Sequence, residues 1–284
     1  MNKTAFVLVH GAWHGAWCYE RVIPLLAGHG FTAVARDLPA HGLNARFPVS
    51  YGVRPLDPAV FATEVSPVAG TKLDDYSDSI IATIDAVRAG GHDKVILVGH
   101  SMGGVAITAT AQRAPEKISR LVYLTAFLPR AGVPATDYIH APENEGEQVA
   151  PLLRSDPAVT AALRMDHRSP DPAYRAAVKQ AFYADVSDAE FDAAQNLMIP
   201  DVPVVPFATP IATTADRWGS VPRHYIKALQ DRAILPALQQ RFIDEADAAT
   251  PGNRTRVHAL DTSHSPFISA PAALAQLLVD IAAG

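Results

Sequence analysis

Short apolar runs separated by helix-like stretches constrain this chain more than any other feature. The runs are Phe6–Val9, Thr32–Ala35, Val95–Val98, Leu121–Leu124, Tyr225–Leu229 and Val257–Leu260. Several are rich in Val, Ile and Leu without alternation, as expected of strands covered on both faces. Strands of this kind alternating with helices predict an α/β fold, a mostly parallel central sheet flanked by helices. Ile80, Ile84 and Val87 recur at helical spacing and predict one covering helix. The last helix should open at Pro271, a tolerated first-turn position, and put Leu274, Leu277, Leu278 and Ile281 on one side.

Two stretches break the rhythm. From Phe127 to Ser220 the chain is rich in Ala, Pro and Asp and has no convincing buried strand. It reads as a mostly helical cap (127–220) inserted into a core made of residues 1–126 and 221–284. A capping box, Ser187 to Glu190, predicts a helix start inside it. Residues 203–210 hold three prolines, which remove amide donors and forbid a regular helix. The other irregular stretch, 43–73, is long for a strand-to-helix connection, a length usually tied to function or disorder.

Composition removes several classes of function. Hydrophobic residues make up 49% and charged residues 19% of the 284, which fits a globular protein. The net charge of −5 comes without an acidic or basic block, so nucleic-acid and anionic-membrane partners are not expected. No apolar stretch approaches the roughly 18 residues of a membrane span. The N-terminus runs directly into the first strand, so a secretory signal is not expected either. One cysteine, Cys18, rules out an intrachain disulfide framework and argues against a cysteine-rich metal site. It reads as a small buried hydrophobe. Together these features predict a cytoplasmic protein.

The strongest chemical signal is Gly99-His100-Ser101-Met102-Gly103, followed by Gly104. It lies between the apolar run Val95–Val98 and the helical stretch Val105–Arg113. A sharp strand-to-helix turn crowds the backbone, so small residues flank the nucleophile whose hydroxyl it lifts above the sheet edge. Ser101 is therefore the candidate nucleophile. A serine hydroxyl needs a base, and His264, just past the last apolar run, is placed to reach across the strand ends. An acidic partner must hold the imidazole. Asp231 follows the run Tyr225–Leu229, and the order Ser101, Asp231, His264 is the one this arrangement uses. Asp261 is the rival, though only three residues from His264, and Asp231 could instead cap a helix over Ala233–Asp244. For the oxyanion, the amides of Met102 and of Ala12, in the His10-Gly11-Ala12-Trp13 loop, are the candidate donors. Asp37 and His41 read as a turn and not as metal ligands. Trp13, Trp17, Phe127, Phe182, Phe207 and Trp218 are candidates to line an apolar pocket. No metal and no organic cofactor is implied.

These residues add up to a resemblance. The chain resembles the α/β-hydrolase superfamily, within it the branch of plant hydroxynitrile lyases and methyl-ester esterases. The segments that carry it are Phe6–Trp17, the Gly99–Gly104 elbow, Gly219–Ile226 with Asp231, and the His264 loop. The resemblance implies Ser101, Asp231 and His264 as triad, Ala12 and Met102 as oxyanion donors, and a helical cap over the site. Hydroxynitrile lyases place a threonine after the first-strand histidine and a lysine after the catalytic histidine. Here those positions are Gly11 and Ser265, so no cation is available to stabilise a departing cyanide. The expectation is therefore a serine esterase cleaving small to medium apolar carboxylic esters through an acyl-enzyme. Lactone opening or carbon–carbon cleavage on the same triad stays open, as does a receptor-like ligand-binding protein. A homodimer is also compatible, since a cap face could pack on a second copy.

Overall fold

The computed structural model describes residues 3–284. Its strands are β1 (Thr4–Val9), β2 (Thr32–Ala35), β3 (Lys94–Ser101), β4 (Arg120–Ala126), β5 (Ala162–Arg164), β6 (Asp201–Pro203), β7 (Arg223–Ala228) and β8 (Arg256–Leu260). Six of them form one sheet in the order β2-β1-β3-β4-β7-β8, with every neighbouring pair parallel. β1 is buried throughout, and β3 and β4 are buried beyond their first residues, as their unbroken apolar runs predict. Burying one such Val, Leu or Ile side chain is worth roughly 1.5–3 kcal/mol, so these three strands anchor the core. The outer strands differ. β2 and β8 lie at the sheet edges and are largely exposed or half-buried.

Helices Leu73–Ala89 and Gly103–Arg113 pack against each other, and helices Val22–Gly28 and Pro271–Ala283 form another packed pair. Ile80, Ile84 and Val87 are buried on the first of these, and Leu274, Leu278 and Ile281 on the last. Pro271 opens that last helix. The helix expected from Ala233 begins instead at Pro236, because Leu235 is held extended immediately before the proline.

Residues 127–220 are built from short 3₁₀ turns and helices, the longest being Pro172–Phe182 and Asp188–Gln195. The Ser187 capping box forms: the Glu190 amide donates to the Ser187 hydroxyl, and the Glu190 carboxylate accepts from the Ser187 amide. The expectation that this stretch has no convincing buried strand is corrected by β5 and β6, which are largely buried and pair antiparallel. Each has only three residues, too few to show a period in sequence. Residues 203–210 do contain one helical turn, Val205–Ala208, with a proline in its opening turn.

The 43–73 stretch folds onto this inserted segment. The Glu64 carboxylate accepts the Val49 and Ser50 amides, and the Ser66 amide donates to Thr160 O. Arg164 on β5 completes the join. Its guanidinium pairs with the Asp201 carboxylate on β6 at 2.7 Å and donates to the carbonyls of Phe61 and Glu64. Both charged side chains are fully buried.

Candidate active site

Ser101 ends β3 with φ +53°, a left-handed conformation that a serine adopts only where its surroundings impose it. The helix that begins two residues later presses against the ends of two strands. A Cβ built on Gly104 would lie 2.2 Å from Phe127 O, and one on Gly103 would lie 2.7 Å from His10 O. The small residues of the motif are thus required by backbone contact, and the turn they permit raises Ser101 to the cavity floor.

The loop after β1 is held by imidazoles. His10 Nδ1 donates to Gly11 O at 2.9 Å, and its Nε2 accepts the Leu38 amide at 3.0 Å. A carbonyl only accepts and an amide only donates, so the proton is fixed on Nδ1. His14 repeats the device, donating from Nδ1 to Ala12 O at 2.6 Å and facing Tyr183 Oη with Nε2. Both peptides flanking Ala12 are therefore anchored through their oxygens. The Ala12 amide has no protein acceptor among the described residues, and neither has that of Met102. Both residues share a cavity with Ser101. Burial holds His14 down at about 4 and His10 well below its ordinary value, so both remain neutral donors near neutral pH.

His264 lies in the loop after β8, with its side chain buried. His264 Nδ1 donates to Asp231 Oδ2 at 2.7 Å. His100, next to the nucleophile, donates from Nε2 to His264 O at 2.8 Å and so ties the histidine loop to the elbow. The Ser263 amide holds the same loop to Asp185 at 2.8 Å. Asp231 Oδ1 accepts the amides of Ala233 and Ile234 at 2.7 and 3.0 Å. Asp231 thus pairs with His264 and holds the turn Ala233–Ile234, but it does not cap the following helix, whose N-cap is Leu235 and carries no side-chain cap. The rival Asp261 points elsewhere, to the Gln230 amide group.

The cavity above Ser101 has about 590 Å³ of empty space, counting its open mouth. Trp13, Phe127, Phe182 and Phe207 line it, together with Leu153, Leu163 and Ile234. Besides Ser101, its polar lining comes from Asn144 and Glu147. The Glu147 carboxyl, raised by burial, accepts the Val149 and Ala150 amides. Two aromatic assignments are corrected. Trp218 does not line the cavity; it donates to Tyr123 Oη at 3.0 Å beneath the Arg223 guanidinium. Trp17 stacks on His14 and does not line the cavity. Asp37 forms the expected turn by accepting the Ala16 and Leu43 amides. Among the described residues no group of three or more His, Cys, Asp or Glu side chains is placed to hold a metal.

Sequence reading missed His10, His14, His100, Tyr183 and Thr125, whose hydroxyl donates to Asp231 Oδ2. The repeated His-Gly pairs at 10–11 and 14–15 were the only hint of the first two.

A six-stranded parallel sheet with a serine on a left-handed turn between a central strand and a buried helix defines the α/β-hydrolase class. The chain belongs to the alpha/beta hydrolase family, whose sequence profile matches residues 6–277. It is 30% identical over 283 residues to the pyrethroid hydrolase of Sphingobium wenxiniae, covering 99% of this chain and 89% of that protein. It is 31% identical over 296 residues to methylesterase 7 of Arabidopsis thaliana, covering 99% and 97%. The crystal structure of a pyrethroid hydrolase from Sphingobium faniae JZ-2 superposes with a TM-score of 0.76 at 26% identity, covering 99% of this chain and 98% of that one.

Proposed function

We propose that this protein is a carboxylic ester hydrolase working through an acyl-enzyme on Ser101. The observation that carries the reading is the Asp231–His264 pair, tied through His100 to a serine on the floor of an apolar cavity. Ser101 Oγ attacks the ester carbonyl while His264 takes its proton, and Asp231 orients the imidazolium. The carbonyl oxygen becomes an oxyanion held by the Ala12 and Met102 amides. His264 then protonates the departing alcohol. In the second half it activates a water that releases the acid and restores Ser101.

The apolar lining suits small to medium esters with uncharged groups near the scissile bond. Residues 127–220 act as the cap, since Phe182, Phe207 and Leu163 supply cavity wall from that segment. The ester-hydrolase names of the relatives support the same chemistry. A cyanohydrin-cleaving reading is disfavoured by local space. A Cβ on Gly11 would lie 2.7 Å from Ser101 Cβ and 2.9 Å from His100 Nδ1, where lyases carry a threonine. Among the described residues no helix is long and apolar enough to cross a membrane. The reading places the reaction in the cytoplasm and is compatible with a homodimer.

The test is hydrolysis of a short-chain aryl ester by the wild type and Ser101→Ala, each checked for folding by circular dichroism. The expected loss is at least about 10⁴-fold in kcat. A folded Ser101→Ala enzyme with undiminished turnover overturns the assignment.

A further inference from the structure

The Asp231 carboxylate has four donors. Two backbone amides occupy Oδ1, while His264 Nδ1 and the Thr125 hydroxyl share Oδ2. Thr125 is fully buried, and Asp231 is its hydroxyl's acceptor.

The backbone shows how Thr125 comes to face Asp231. The β3–β4 register pairs His100 with Leu124 and Ser101 with Ala126, so Thr125 is the extra residue of a bulge. Its φ is +38°, a value that a β-branched residue avoids in unstrained chain. Bulges beside active sites re-aim side chains. Here the irregularity that lifts Ser101 out of β3 also turns a side chain of β4 toward Asp231. The Phe127 amide, two residues on, donates to Ser101 O at 3.0 Å, which locks the two distortions together.

We propose that Thr125 is a positioning residue: its hydroxyl holds Asp231 Oδ2 at the place where it meets His264 Nδ1. The proposal rests on the hydrolase reading above. The two amides on Oδ1 set the carboxylate plane, and on Oδ2 the Thr125 hydroxyl is the donor besides the imidazole that Oδ2 must orient. The hydroxyl therefore holds Oδ2 independently of His264. A donor to an ionised carboxylate is a strong tether, roughly twice a neutral one. Without it, Oδ2 is held by the Oδ1 amides at the far side of the carboxylate and by the very imidazole it must orient. Chemistry suffers and substrate binding does not, because Thr125 does not line the cavity.

The test compares Thr125→Val, which keeps the shape and removes the hydroxyl, with Thr125→Ser, which does the reverse. The Val variant is expected to lose about tenfold or more in kcat at unchanged KM on a neutral aryl ester. The low-field proton resonance of the His264–Asp231 hydrogen bond should shift or broaden in the same variant. The Ser variant should recover most of the rate and the resonance. A packing role predicts the opposite order, with Ser the more impaired. Wild-type kcat and resonance in Val, or equal damage in Ser, overturns the proposal. Should Val not fold, Thr125→Ala replaces it. The resonance is read without substrate, so it reports on Thr125 even if Ser101→Ala shows the hydrolase reading to be wrong.

Discussion

Asp231 and His264 are joined at 2.7 Å through the carboxylate oxygen Oδ2, while Oδ1 of the same carboxylate holds the turn Ala233–Ile234. One side chain therefore fixes both the imidazole and the path of the chain into helix Pro236–Ala249. The two duties are separable by mutation.

Asp231→Asn keeps an oxygen for the two amides but presents an amide group to His264. It should fold with a Tm near the wild type and lose about 10⁴-fold in kcat, by favouring the wrong imidazole tautomer. Asp231→Ala should lose similar activity and, in addition, roughly 1–3 kcal/mol of stability from the orphaned amides. Parallel kinetics and urea denaturation check both. Equal stability in the two variants would refute the double role.

Gly11 should not tolerate the threonine of the lyases. The built Cβ lies 2.7 Å from Ser101 Cβ, so Gly11→Thr must displace the nucleophile or the loop that carries Ala12. The expected outcome is a fall of about 100-fold or more in esterase kcat/KM, as for loss of one oxyanion donor. Near-wild-type turnover would show that the elbow yields more easily than its contacts imply.

Acid should unfold the protein through its interior histidines. Burial holds His14 and His41 at about 4 and His167 at about 3. In the unfolded chain each returns to about 6.5. Between these values the unfolded state binds more protons, so stability is fully present above about pH 6.5 and is lost as pH falls toward 4. Each such histidine contributes up to about 1.4 kcal/mol per pH unit in that window. Urea titrations at pH 7.5, 6 and 5 should show the decline, and His167→Phe should make it less steep by one histidine's share. A pH-independent midpoint would contradict these burials.

Substrate length should be set from the inserted segment. Val149 is half-buried on the cavity wall and belongs to the inserted segment. Val149→Trp should leave acetyl esters almost unaffected and reduce kcat/KM for octanoyl esters about tenfold or more. A chain-length series checks this, and a uniform decline across it would mean the pocket runs elsewhere.

How much of this was legible in sequence follows from what each residue must satisfy. Gly103 and Gly104 meet strand backbone directly, so only small residues fit, and that demand is visible in the letters. β1, β3 and β4 were visible because burial on both faces leaves an unbroken apolar run. Asp231 was visible by its order after β7. The imidazoles of His10, His14 and His100 serve peptide carbonyls, and carbonyls are present at every position, so nothing in sequence marks the acceptor. Thr125 was invisible for a related reason. Its direction comes from a bulge, which changes register without changing composition. Trp218 was misassigned because residue type says nothing about which side of a helix it meets. The β5–β6 pair escaped because three-residue strands far apart in sequence carry no period.

The buried Arg164–Asp201 pair carries a consequence for how such a protein can diverge. The Arg164 guanidinium spends two of its donors on the carbonyls of Phe61 and Glu64, within the 43–73 stretch. Shortening that stretch would leave Arg164 paired with Asp201 but strip its Nη1 donors of their acceptors, and an unsatisfied buried donor costs about 1–3 kcal/mol. The 43–73 stretch and the interior arginine are therefore structurally coupled. A descendant that trims one must replace the other, and a graft of this pocket onto another hydrolase must bring both.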